Sequence, residues 1–298
     1  METATTLVHK GAMPIAVHAI RSFARHFSTS YRLEIHSDGS LDLADHEQLL
    51  GATFGMTARI VTSEQRRSGI ETALRNFPLT ARLIALKGYF TKLELPIWVG
   101  KPFFYFDSDV VWLRPVENLI PPGGGNAFST ETWSWYYGVR HDFLWIEAGT
   151  PRRVNSGFYH LSQEFPFERM EKLLALGMFN AETYGNTDQE IMAFLFPKMV
   201  HYHPEDLVRS RVGVPYQLAT VKCAALHFPG GMWREHLDQI KSLESGAHPG
   251  SMKIRFTSPV PLTRFELFRM RFYLALSRSE LMQFPISSYR IARRFVKG

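Results

Sequence analysis

The spacing of apolar residues along the chain switches repeatedly between the period of a strand and the period of a helix. Residues 5–9 form a short apolar strand candidate. Residues 14–27 follow with Ile15, Ala19, Ile20, Phe23 and Phe27 at helical intervals. Residues 31–40 alternate apolar and polar side chains and close on Asp38-Gly39, a turn signal. A helix over 41–50 and a β-branched strand over 58–62 come next. They are followed by a long helix over 79–95, with Leu83, Leu86, Phe90 and Leu93 on its apolar side and Pro96 as its stop. Within residues 101–115, Phe103-Phe104-Tyr105-Phe106 puts aromatics on successive positions, the mark of a strand buried on both faces. A loop over 121–126 and a strand over 154–161 follow, then helices over 167–176 and 186–196, with Thr187 as N-cap of the second. A last strand runs into the glycine turn at 226–231. Strands alternating with helices predict an α/β fold: a mostly parallel central sheet with helices on both faces. Ligands of such sheets collect beyond the carboxyl ends of the strands.

Composition narrows this picture. A hydrophobic content of 45% with 13% aromatics supplies a packed core and excludes a disordered chain. The lone Cys223 excludes an intrachain disulfide and a cysteine zinc cluster, and it fits a reducing compartment. The first ten residues carry no signal-peptide pattern, and no apolar run is long enough to span a bilayer. The expected localisation is therefore cytoplasmic. The net charge of +6 is concentrated: residues 262–298 hold eight basic and two acidic side chains, the whole of the excess. The body is neutral and lacks the field of a dedicated nucleic-acid binder. The expected organisation is a domain over 1–240, a linker over 241–261 and a basic amphipathic helical tail over 262–298. Arg264, Arg271 and Arg278 recur along one side of the tail, and Phe265, Phe268, Phe272 and Leu276 along another. Two readings of the tail stay open. It binds an anionic membrane surface, peripherally on the inner face, or its apolar side docks on the body.

Four segments carry candidate chemistry. Asp107-Ser108-Asp109 ends the aromatic strand; in an extended segment its two carboxylates point the same way. They form either a solvated turn or a site for a hard cation such as Mg2+ or Mn2+. In Asn155-Ser156-Gly157-Phe158 a glycine at a strand head permits close backbone approach to a ligand, or marks a bulge. Asp188 and Gln189, in Asn186-Thr-Asp-Gln-Glu190, fall on the first turn of a helix. There an acidic residue answers the helix dipole or faces a site. His227, in Leu226-His-Phe-Pro-Gly-Gly231, is a packed core residue or a metal ligand, and the turn after it offers backbone amides to a phosphate.

The order of these four segments resembles the GT-A fold nucleotide-sugar glycosyltransferases, especially the glycogenin-like and related bacterial galactosyl- or glucosyltransferase groups. The resemblance spans roughly residues 5–235. It implies a metal-dependent hexosyl transfer from a nucleotide-sugar, a UDP-sugar by family habit, to a glycan or lipid-linked acceptor, with retention. It implies Asp107, Asp109 and His227 as ligands of Mn2+ (or Mg2+), and Asp188 and Gln189 as the catalytic pair. His9, Asp107, Ser108, Asp109, Asn155, Gly157, Gly230 and Arg234 would line the donor site. Position 233, where the glycogenin-like group has a phosphate-clamping lysine, is Trp233, with Arg234 beside it offering the charge. Two rival readings are a sugar-nucleotide pyrophosphorylase and a non-catalytic nucleotide-sugar-binding scaffold. Residues 9–14 match the glycine-rich loop of the pyrophosphorylases poorly.

Overall fold

The computed structural model describes residues 1–86, 88–100, 102–130, 154–176, 187–209, 222–245 and 250–259. The strands are β1 (Glu2–Val8), β2 (Tyr31–Ser37), β3 (Ala58–Val61), β4 (Phe103–Phe106), β5 (Val110–Trp112), β6 (Asn126–Thr130), β7 (Val154–Leu161), β8 (Met199–Tyr202), β9 (Leu207–Arg209), β10 (Ala225–His227) and β11 (Phe256–Thr257). The helices are α1 (Met13–Phe27), α2 (Leu43–Gly51), α3 (Ser63–Leu74), α4 (Pro78–Ala85), α5 (Thr91–Val99), α6 (Phe167–Ala175), α7 (Thr187–Leu195) and α8 (Leu237–Ser245). Eight strands form one sheet in the order β11-β8-β6-β7-β4-β1-β2-β3. β3, β2, β1 and β4 run parallel, β6 and β8 run the same way, and β7 and β11 run against them. β5, β10 and β9 make a separate small sheet.

The aromatic strand behaves as its sequence requires. Phe103 and Tyr105 pack into one core with Leu93, Tyr159 and Ile191, while Phe104 and Phe106 pack into another with Ile20, Phe23 and Leu33. Both faces of the sheet are covered, by α1 on one side and by α5, α6 and α7 on the other. This bears out the expected mostly parallel sheet between helices. A third core of Ile15, Val111, Leu226, Phe228, Trp233 and Ile240 joins α1 and α8 to the small sheet.

The structure departs from the sequence reading at several places. The expected helix over 79–95 is two helices, broken around Gly88 in a left-handed conformation (φ 61). Pro96 lies inside α5 instead of stopping it. A proline there removes the N–H that would bond the Lys92 carbonyl, and burial of Leu93, Leu95 and Pro96 itself offsets the loss. α3 was not anticipated. Its segment is polar, with only Ser63, Arg66 and Ile70 buried, and Thr62 and Gln65 close a capping box at its start. α4 has no cap of its own; the Glu171 carboxylate from α6 accepts its Leu79 and Thr80 amides at 3.2 and 2.6 Å. The stretch read as a linker over 241–261 holds the second half of α8 and strand β11, which pairs with Tyr202 and His201 of β8. The basic tail over 262–298 and the N-cap side chain of Thr187 lie outside the described residues.

Candidate active site

β1, β2 and β4 are parallel, so Val8, Ser37 and Phe106 end at one edge of the sheet. β7 runs antiparallel to β4, with Phe158 opposite Phe106. The head of β7 therefore lies beside the tail of β4, and Asn155-Ser156-Gly157 meets Asp107-Ser108-Asp109 although 46 positions separate Asn155 from Asp109. The Asp107 amide donates to the Gly157 carbonyl at 2.6 Å. His227 arrives from the small sheet, where β10 pairs antiparallel with β5 and places His227 opposite Val110.

The two aspartates converge, but not by strand alternation. The chain turns at Ser108, with the Val110 amide donating to the Asp107 carbonyl at 3.0 Å. The His227 Nε2 then lies 3.5 Å from Asp107 Oδ2 and 3.3 Å from Asp109 Oδ1. One donor atom from each of the three residues falls within 4.8 Å of the others. Burial alone would lower the His227 pKa; the charge of Asp109 and the contacts with both carboxylates raise it to about 9. Burial would raise Asp107; Lys92 and His227 instead pull it down to about 2.

The ion-binding expectation passes a geometric test. Asp109 Oδ1 and His227 Nε2 are buried atoms that face each other at 3.3 Å without forming a well-aligned hydrogen bond, to each other or to any other group. Orphaned buried polar atoms call for an explanation, and an ion is one. Two carboxylates and an imidazole form a ligand set open to a divalent cation.

The remaining sequence candidates divide. Asp188 and Gln189 are buried at the start of α7. Asp188 Oδ2 accepts from Ser156 Oγ at 2.6 Å, and Gln189 Oε1 from the Ser156 amide at 3.2 Å. Asn155 Oδ1 is engaged within the protein, by the Gly157 amide at 2.9 Å and Ser129 Oγ at 3.2 Å. Gly157 does permit a close approach, but what approaches is the His227 ring, against which an added Cβ would collide. Ser108 is buried in the turn. His9 follows β1 on the same edge, exposed, with its ring over Gly11. Gly230 and Gly231 both adopt left-handed conformations (φ 66 and 81) in the turn after β10. Trp233 enters the third core, whereas the Arg234 guanidinium lies against Gly231 and 4.8 Å from the Trp233 ring centroid. The positive charge is thus returned to the glycine turn by Arg234.

Sequence reasoning missed Lys92. Its Nζ lies 2.8 Å from Asp107 Oδ1, 3.2 Å from Ser156 Oγ and 3.6 Å from Asp188 Oδ2. Burial would lower its pKa, but Asp107 and Asp188 hold it above the ordinary lysine value. The available signal was a pair of charges, Lys92 and Glu94, in the otherwise mostly apolar α5 (Thr91–Val99) that precedes the Asp107 strand. Glu94 points elsewhere and anchors α5. It pairs with the fully buried Arg66 at 2.5 Å, and Arg66 donates to the Ser37 carbonyl at 2.8 Å.

No sequence-family pattern matches the chain, and no curated protein matches it by sequence. Solved structures do resemble it. Galactosyltransferase LgtC, in complex with donor and acceptor sugar analogs, superposes at TM-score 0.50 and 14% identity, covering 83% of this chain and 98% of LgtC. The bifunctional glycosyltransferase WbbM superposes at TM-score 0.53 and 12% identity, over 83% of this chain and 50% of WbbM. The glycosyltransferase GlyE of Streptococcus pneumoniae TIGR4 gives TM-score 0.51 and 14% identity, over 83% of this chain and 61% of GlyE. The chain has the GT-A glycosyltransferase fold.

Proposed function

We propose that the chain is a metal-dependent glycosyltransferase that moves a hexose from a UDP-sugar to a glycan or lipid-linked acceptor. The observation that carries the reading is the convergence of Asp107, Asp109 and His227, two of their atoms orphaned, on the carboxyl edge of a GT-A sheet. Asp107, Asp109 and His227 would hold Mn2+, which when bound supplies a Lewis acid for charge developing on the leaving diphosphate. Gly230, Gly231 and Arg234 offer backbone amides and a guanidinium to the same diphosphate. Lys92 keeps the Asp188 and Asp107 carboxylates together beside the reacting sugar. Asp188 and Gln189 are positioned through Ser156, and the Gln189 NH2 group remains available to a sugar hydroxyl. LgtC is known with both donor and acceptor analogs and as an active-site mutant, which supports a two-substrate transfer on this fold. Retention is the stereochemical course proposed. Among the described residues no helix is long and apolar enough to cross a membrane.

The reading is tested by release of UDP from a panel of UDP-hexoses. Turnover that requires Mn2+ and yields free hexose or its transfer product supports it. A protein that binds UDP-sugars without turning them over would be the scaffold, and formation of UDP-sugar from UTP and a sugar phosphate would be the pyrophosphorylase.

The charge state of His227 gives a second expectation. With its pKa raised to about 9, the ring carries a proton at pH 7, whereas a ligating imidazole is neutral. Binding of Mn2+ at pH 7 should expel close to one proton, and affinity should rise with pH until about 9 and then level off. Calorimetric titrations in buffers of different ionisation enthalpy measure the proton count. Zero protons at pH 7 would contradict a protonated His227 that gives up its proton to the ion.

A further inference from the structure

Tyr105 is the buried β4 residue whose cross-strand partner is Tyr159, and the two rings stack with centroids 4.7 Å apart. Their hydroxyls have different fates. Tyr105 donates to Asp107 Oδ1 at 2.5 Å, while the buried Tyr159 hydroxyl has no partner. The Lys92 ammonium lies 5.4 Å from the Tyr105 ring centroid and 2.8 Å from the same Oδ1. The phenol binds only Oδ1, whereas the Lys92 ammonium spans both oxygens and donates to Oδ2 at 3.1 Å. Oδ2 is also the oxygen that faces His227 Nε2. Phenol and carboxylate belong to the same strand end, two residues apart, so the tyrosine fixes the carboxylate with no loop between them.

We infer that Tyr105 is a positioning residue that turns Asp107 into a one-oxygen ligand. Its hydroxyl occupies Oδ1, sets the plane of the carboxylate, and presents Oδ2 toward Asp109 and His227. The inference rests on the proposed ion site. It adds that the site's affinity is set partly by a residue that never touches the ion. Hydrogen bonds that orient a ligand typically change metal affinity by about 10- to 100-fold. Tyr159 is the built-in control: it shares the stack and the burial, and its hydroxyl holds nothing.

The test is Mn2+ binding to the full chain without nucleotide, followed by the electron paramagnetic resonance signal of free ion, for wild type, Tyr105→Phe and Tyr159→Phe. Melting temperatures are recorded alongside. Tyr105→Phe should bind about 10-fold more weakly, with a melting temperature close to wild type, and Tyr159→Phe should bind as wild type does. Equal affinity in Tyr105→Phe and wild type would overturn the inference while leaving the ion site standing. Equal weakening in both variants, with equal loss of melting temperature, would assign the effect to ring packing and overturn it too. Wild type that binds no Mn2+ would remove the ion site, and this inference with it.

Discussion

Lys92→Met should cost the protein both stability and turnover, and it should separate the two binding steps. Lys92 is the cation between Asp107 and Asp188, in side chains that keep 16, 22 and 3% of their exposure. Removing one partner of a buried ion pair leaves uncompensated charge, at a cost of about 3 kcal/mol or more. Some residual solvent access at the mouth of this site reduces that, so a loss of about 2–3 kcal/mol is expected. The methionine keeps the apolar stem, so packing of α5 is spared. Mn2+ affinity should hold or rise, because a competing cation has gone. Turnover of UDP-hexose should fall by about 100-fold or more, since the Asp188 and Ser156 positions lose their anchor. Thermal melting, Mn2+ titration and turnover on one preparation check all three. Loss of Mn2+ binding together with unchanged turnover would contradict this role.

Gly157→Ala should be the most damaging single-carbon change at the site. The added methyl would lie 2.6 Å from His227 Nδ1 and 2.7 Å from Asn155 Oδ1, closer than side chains approach. Neither neighbour has room. His227 is held on β10 opposite Val110, and Asn155 Oδ1 accepts the Gly157 amide itself. Overpacking of this kind costs about 1–3 kcal/mol. Displacing the imidazole should weaken Mn2+ binding by about 100-fold or more. The clash has a named partner, so the double variant Gly157→Ala/His227→Ala should recover much of the lost stability. Additive losses in that cycle would show that the methyl collides with something other than the ring.

Much of this arrangement could be read from the sequence because its signals are local. Phe103–Phe106 announced a strand buried on both faces. Val154–Leu161 matched its predicted range, and the carboxylates and imidazole stood at the ends of apolar runs. What was not legible depends on pairing at a distance. No local pattern states that β7 reverses direction, yet that reversal places Ser156 and Gly157 against Asp107. The convergence of Asp107 and Asp109 was expected for the wrong reason, since a turn at Ser108 and not strand alternation produces it. Lys92 was missed because its helix was read as one long apolar element ending at Pro96. The break around Gly88 and the Arg66–Glu94 anchor give α5 its own direction. Arg234 became understandable only when Trp233 was seen to enter the third core. α3 escaped because a helix that buries three residues has almost no apolar periodicity.

We propose that Asp107, Asp109 and His227 bind the ion through which a UDP-sugar is held and cleaved. Asp109→Ala tests it most directly: the substitution removes one of the three donor atoms and leaves Asp107 to face the His227 ring. UDP release from the UDP-hexose that wild type turns over is to be measured with Mn2+ and with the ion chelated. Mn2+-dependent release by wild type and none by Asp109→Ala are expected, with a cooperative melting transition showing that the variant is folded. Release by Asp109→Ala at the wild-type rate, or wild-type release untouched by chelation, would contradict it.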